Sequence, residues 1–321
     1  MNKYPSISHA APGALRCKGF TLVELMIALL LGLILMAGVI SIFMSSKQSY
    51  AAVHVLARLQ ENGRYGMDII TADLRRAGYL SGNANVDTIG GTEGISTADD
   101  SCLTSGSTWG RMIERRVFGL DDSNTGYACI PDSAYTRGDV LTLRYASPVE
   151  AASFSANRVY LRSSLFEGRI FKGSSEASNT ILENPQTTRE LVAHSYYIGP
   201  SSVECPAGTA VPALHWLSMD DNGQPASEEL MVGAEHLQLQ YGVDTDANGS
   251  VEQFLDADTV STNAAFDWDD VIAVRVWLLV RGECAETGLD NTNTYTMGDQ
   301  TYTPNDNFRR QLYTTTVMLR N

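Results

Sequence analysis

Between two runs of alternating apolar residues the chain carries Asp244-x-Asp246-x-Asn248-Gly249, three oxygen donors at alternate positions ahead of a glycine. Side chains spaced this way can converge on one hard cation, and the glycine permits the sharp turn that a calcium loop needs. Glu252 adds a carboxylate that could reach such an ion directly or through water. The twelfth position, where a bidentate glutamate would close the coordination shell, is Leu255, with Asp256 next. The same Asp, Asn and Gly residues also favour a plain hairpin turn. Asp244, Asp246, Asn248 and Glu252 therefore stand as candidate calcium ligands against that simpler alternative, and no other cofactor is expected.

Five cysteines occur, at 17, 102, 129, 205 and 284, with no C-x-x-C pair to support a zinc or redox site. If Cys17 leaves with a leader, an even set remains beyond an apolar segment, as in proteins oxidised outside the cytoplasm. Cys102, Cys129, Cys205 and Cys284 allow three pairings. The sequence-local pairs Cys102–Cys129 and Cys205–Cys284 are favoured, and buried free thiols are the alternative. For catalysis the sequence is poor. The histidines at 9, 54, 194, 215 and 236 form no H-E-x-x-H, and G-x-S-x-G, G-x-x-x-x-G-K and G-x-G-x-x-G are absent. His194 and His215 sit in apolar strand contexts, where a structural histidine is the usual outcome. No enzyme is expected.

One further residue is chemically out of place. Phe20 to Met44 reads FTLVELMIALLLGLILMAGVISIFM, 25 residues with a single charge, Glu24. As a helix it is about 38 Å long, enough to cross a hydrocarbon core of about 30 Å. It is too long for a signal-peptide core, and the best small-x-small match downstream, around Ser49-Tyr50-Ala51, is poor. A carboxylate so near the start of a spanning helix costs less than the roughly 2.5–3.5 kcal/mol assigned to the helix centre, yet something should compensate it. Arg16 and Lys18 precede the segment, so the positive-inside bias places the N-terminus in the cytoplasm.

The elements that position these residues follow from periodicity. Ala52, Leu56, Leu59, Gly63, Met67, Ile70 and Leu74 form one apolar stripe, with polar residues including Asp68, Asp73, Arg75 and Arg76 around it. No proline interrupts 20–77, and Gly78 is a natural stop. Residues 45–79 thus read as an amphipathic continuation of a spanning helix at 20–44. Residues 80–135, rich in Gly, Ser, Asn, Thr and Asp, read as a loop-rich insertion held by a disulfide. Strand-like runs follow at Val140–Tyr145, Arg158–Leu161, Leu191–Ile198, Leu214–Met219, Leu237–Val243, Val271–Val280 and Leu312–Leu319, several with clear alternation. The expected fold is α+β, a long N-terminal helix followed by an antiparallel sheet head over 80–321. The chain has 321 residues, of which 44% are hydrophobic and 19% charged, as in a globular protein. Setting aside Lys3, Arg16 and Lys18 leaves 20 basic side chains against 37 acidic, a net charge of −17. Such a surface repels phosphate, so no nucleic-acid partner is expected.

Gly19-Phe20-Thr21-Leu22-Val23-Glu24-Leu25, with Lys18 before it, resembles the processing site of type IV prepilins. That resemblance implies a leader of residues 1–19 and cleavage between Gly19 and Phe20 by a prepilin peptidase. It further implies N-methylation of Phe20 and retention of the apolar helix. The residues agree with this. A new amino group on Phe20 is a cation, and Glu24 can pair with that group on a neighbouring subunit, cancelling two charges in an apolar filament core. A second resemblance lies in Glu61–Tyr65, Asp73–Tyr79, Leu239–Asp244, Val274–Arg281 and Phe308–Val317, which are similar to the PilW group of minor pilins. Together the two cover about the first 80 and last 90 residues; 80–230 resemble nothing recognised. They imply a structural subunit in a tip complex that primes pilus assembly, with other minor and major pilins and a tip adhesin as partners. Such a chain is held in the inner membrane by one span before assembly and lies in the extracellular pilus (fimbrium) afterwards. The alternatives are a minor pseudopilin of a type II secretion system and a membrane-anchored binding module. A tethered periplasmic enzyme is a third, against which the missing motifs count.

Overall fold

A computed structural model describes residues 19–83, 85–95, 102, 108–205 and 208–319. The expected leader, except Gly19, lies outside the described residues. The chain divides into two compact units at His54/Val55, and one helix, α1 (Leu22–Leu74), contributes to both.

In the first unit α1 is apolar on every side and exposed along its whole course from Gly19 to Tyr50. It has the length and composition to cross a membrane. Its Leu, Ile, Met and Ala residues are good or acceptable helix formers, and no proline breaks the ladder.

In the second unit the same helix becomes one-sided. Leu59, Gly63, Gly66, Met67, Ile70, Asp73 and Leu74 are buried. Gly63 permits the close approach: a Cβ there would lie 2.0 Å from the Tyr313 ring. The helix unwinds after Leu74, and Gly78 turns the chain at φ +78° while donating its N–H to the Arg144 carbonyl. Asp73, which periodicity assigned to the polar face, is 5% exposed. Leu56, assigned to the apolar stripe, is exposed.

The strands are β1 (Ile89–Gly90), β2 (Val117–Leu120), β3 (Arg137–Glu150), β4 (Val159–Ser163), β5 (Gly168–Lys172), β6 (Thr187–Glu204), β7 (Ala210–Met219), β8 (Pro225–Val232), β9 (Ala234–Val243) and β10 (Gln253–Leu255). After the short helix α2 (Ala257–Thr262) come β11 (Val271–Arg281), β12 (Tyr295–Met297), β13 (Gln300–Tyr302) and β14 (Arg310–Met318). Eight strands form one sheet around β6, whose 18 residues act as a spine. One edge of β6 pairs with β3. The other pairs with β4 near its start and with β7 further on, and β8 lies beyond β7. A second sheet runs β10-β9-β11-β14, wholly antiparallel, and β12 and β13 form a hairpin. Every pairing is antiparallel except β1 with β5. The head is therefore α+β, as expected, with longer and more numerous strands than alternation revealed.

One main core joins the helix residues Leu59, Met67, Ile70 and Leu74 to both sheets through Leu143, Tyr196, Leu214, Leu239, Val276 and Val317. The described part of 80–135 belongs to it. Trp109, Val117, Phe118, Tyr127 and Ile130 are buried there, and β2 pairs with β3. Arg144 of β3, wholly buried, donates to the carbonyls of Trp109 and Arg115 and so holds this segment down.

Candidate functional site

At the helix start, Thr21 and Glu24 form a reciprocal capping pair. The Thr21 N–H and hydroxyl both donate to Glu24 Oε2, at 3.0 and 2.9 Å, and the Glu24 N–H donates to the Thr21 hydroxyl. This is the S/T-x-x-E pattern at the N-cap and N3 positions. Both bonds use one carboxylate oxygen, which leaves Oε1 free to accept from a cation. Phe20 is exposed, and nothing lies within 4 Å of a Cβ built on Gly19, so the backbone before Phe20 is unobstructed. Gly19, Phe20 and Glu24 thus sit within one exposed turn. The next charged residue along the apolar helix is Lys47.

At the other end of α1, buried Asp73 gathers four donors. Tyr145 and Tyr196 give their hydroxyls at 2.8 and 2.5 Å, His194 Nδ1 lies 2.5 Å from Oδ2, and Arg76 lies at 3.4 Å. His194 also stacks on Trp216 with ring centroids 4.2 Å apart. Burial pushes the Asp73 carboxyl up, but the His194 bond and charge, with the two tyrosine hydroxyls, outweigh it and hold it below the usual range. Spacing did not single out this cluster. Its signal was an acid one position from Leu74 on the buried stripe, where a polar group demands partners. His194 and Tyr196 alternate along β6 and so share a face. Neither His194 nor His215, whose Nε2 faces the Pro200 carbonyl at 3.2 Å, bonds a serine or cysteine.

The acidic loop lies between β9 and β10. Ligand atoms of Asp244, Asp246 and Glu252 lie within 4.8 Å of one another, a spread that one calcium ion with oxygens at about 2.4 Å could bridge. Asn248 N–H donates to Asp244 Oδ1 and Asp246 Oδ1, and Gly249 N–H donates to Asp244 Oδ2 at 2.7 Å. Thr245 N–H is taken by Glu252 at 2.8 Å. Backbone amides thus supply part of the positive charge that an ion would otherwise supply. The Asn248 side-chain oxygen instead accepts from Ser250 N–H. Leu255 is in β10, paired with Tyr241, so the shell that these residues can build is open on that side.

A second group of acids was not anticipated. Asp122 N–H and Leu239 N–H both donate to buried Asp139, and Gln238 donates to Asp122. Burial, then the charges of Asp299, Asp256, Asp122 and Asp258, lift Asp121 to about 6. Burial raises Asp139 well above the ordinary carboxylate value. The four described cysteines are joined as Cys102–Cys129 and Cys205–Cys284, with Cα separations of 5.6 and 5.7 Å.

Two family models match the chain. Residues 15–40 match the prokaryotic N-terminal methylation motif, and residues 195–321 match the type IV pilus-assembly protein W. The second match contains Leu239–Asp244, Val274–Arg281 and Phe308–Val317 and adds part of β6 with β7 and β8, but it does not reach Glu61–Tyr65 or Asp73–Tyr79. No curated protein and no solved structure matches. The apolar helix and the methylation motif together indicate membrane anchoring before assembly. Over residues 15–40 and 195–321 the chain is therefore similar to type IV prepilin-like proteins of the PilW type, which makes it a pilus-related, pilin-like chain.

Proposed function

We propose that this protein is a minor pilin, cut between Gly19 and Phe20, methylated on the new N-terminus, and built into a tip complex that primes pilus assembly. The observation that supports it best is the lone Glu24 on an otherwise apolar, wholly exposed helix, half-satisfied by Thr21 and with one oxygen open. Before assembly the 20–44 segment spans the inner membrane with its N-terminus cytoplasmic. On assembly, neighbouring helices replace lipid, and Ala28, Gly32, Ala37 and Gly38 permit close packing. Glu24 then pairs with the Phe20 amino group of a neighbouring subunit and sets the register. The partners are other minor and major pilins, the prepilin peptidase and a tip adhesin. Intact mass and N-terminal sequencing of the chain recovered from cells test this. A methylated Phe20 start is expected; a chain still beginning at Met1, or beginning beyond Met44, contradicts it.

A second reading concerns the acidic loop. The convergence of Asp244, Asp246 and Glu252 favours a calcium ion held by these carboxylates, with water completing the open side. The site belongs to the weak class of extracellular modules, with Kd of about 10⁻⁴–10⁻³ M.

A further inference from the structure

The C-terminal strand β14 is the outer edge of the four-stranded sheet. It pairs with β11 over nine consecutive residue pairs without a register shift, and among the described residues no strand lies on its other side. Two backbone bonds at the ends of this ladder fix its phase. Gly282 N–H donates to the Arg309 carbonyl and Leu319 N–H to the Ile272 carbonyl, each at 2.8 Å. In an antiparallel ladder, residues that turn N–H and C=O toward the partner alternate with residues that turn them away. Arg309 and Leu319 are odd-numbered, so the odd residues bond β11. Leu312, Thr314, Thr316 and Met318 aim their backbone groups outward, and among the described residues nothing bonds those groups. Thr314, Thr316 and Met318 are exposed.

Free edges are ordinarily blunted by charge, proline, a bulge or brevity. The other edges of this molecule follow that rule. β8 begins at Pro225, carries Glu228 and Glu229, and has a register shift against β7, while β1, β2 and β10 have two, four and three residues. From Gln311 to Met318, β14 has no charge, no proline and no bulge, and its Tyr, Thr and Val residues favour strand pairing.

A second copy does not suit this edge. Two β14 strands paired antiparallel are related by a two-fold axis normal to the sheet. The Val55–Leu74 stretch of α1 lies across that sheet, with Leu59 and Gly63 against Tyr313 and Gly66 against Leu278. A half-turn about the normal reverses it, so the Val55 ends, each joined to an apolar segment, would point in opposite directions. Subunits of a polar filament all run one way, so two copies of this subunit do not meet there.

We propose that the free edge of β14 takes up an extended segment from a different pilus component, paired backbone to backbone as a fifth strand of the sheet. This rests on the chain being a pilus subunit. The occupant is an uncharged stretch of about five or six residues, rich in β-branched side chains, with no proline facing β14.

Proline substitution in the full chain separates the two sides of the strand. Thr314→Pro removes only an outward N–H, whereas Thr315→Pro removes one bonded to β11. Thr314→Pro is expected to accumulate in membranes like wild type but to fall about tenfold in sheared pili, with Thr314→Val unchanged. Undiminished Thr314→Pro in pili overturns the proposal. Should that variant fail to accumulate, amide hydrogen exchange on the wild-type chain decides. The Leu312, Thr314 and Thr316 amides should exchange about tenfold more slowly in the purified assembled complex than in detergent. Equal rates overturn the proposal, as does a β14-to-β14 cross-link formed by Thr314→Cys. Absence of the wild-type chain from pili counts instead against the pilus-subunit reading.

Discussion

The two halves of α1 differ in composition and in where their partners are. From Phe20 to Tyr50 every residue is exposed, and the one acid bonds only to its own turn. From Leu59 to Leu74 the helix buries a stripe of its surface, and its acid, Asp73, is bonded by residues far along the chain. A helix apolar on all sides is written for lipid or for other helices, and a striped one for its own domain. The difference shows that Glu24 and Asp73, both carboxylates in apolar surroundings, are solved in opposite ways. Asp73 is satisfied within the fold; Glu24 is left for another molecule.

Breaking each acid should therefore give opposite phenotypes. Glu24→Ala should leave leader cleavage intact and abolish incorporation into filaments. Glu24→Gln sharpens this, because glutamine can still cap Thr21 but cannot neutralise a cation. Normal recovery of Glu24→Gln in sheared pili would remove the charge from the account. Asp73→Ala should be processed normally but destabilise the head by about 3–5 kcal/mol, since it strands two buried hydroxyls and a histidine. Chemical denaturation of the full chain in detergent measures this, and a loss below about 1 kcal/mol would contradict the clamp.

A smaller effect separates the head's two kinds of acid. Asp73 is held below the 3.8 of an unfolded aspartate, so its contribution is complete above that value and is lost as pH falls through its lower folded value. Asp121, lifted to about 6, has the reverse dependence: its contribution is complete below 3.8 and is lost as pH rises through about 6. Asp139 acts in the same direction as Asp121. The melting temperature should therefore rise as pH is lowered from about 7 to about 5 and fall again below about 4. A steady rise in stability up to neutral pH would contradict this assignment. Smallest of all, 2 mM calcium should stabilise the head by about 1 kcal/mol for a Kd near 0.5 mM. Asp246→Ala should cancel that gain, and a melting curve indifferent to calcium would leave the loop as a turn.

Much of this could be read directly from residues. The long helix follows from an unbroken proline-free run with a change of periodicity in it, and β9, β11 and β14 alternate visibly because one face of each is buried. β8 was not visible because an edge strand carrying Pro225, Glu228 and Glu229 has no apolar rhythm. Nor were β2, β10, β12 and β13, whose four residues or fewer are too short to establish a period. β5 has only five residues. The contribution of Trp109 and Tyr127 to the core was hidden by their polar, glycine-rich surroundings. Asp73 was misplaced because spacing alone treats a polar residue as a surface residue, although its position on the stripe pointed inward. At the helix start, residue types disclosed Glu24 as anomalous, but not that Thr21 already holds one of its oxygens.

The clamp at Asp73 bears on mechanics. The chain passes from the first unit to the second along α1, so a pull on the N-terminal half is delivered to the head along that helix. Along the helix, Tyr313 bonds the Leu59 carbonyl, Asn62 bonds the Val232 carbonyl, and Asp73 receives Tyr145, Tyr196 and His194. Those attachments belong to four different strands and are spread over several turns. Tension along the helix axis therefore loads them side by side, in shear, so the head resists extraction as a unit and does not peel away one bond at a time.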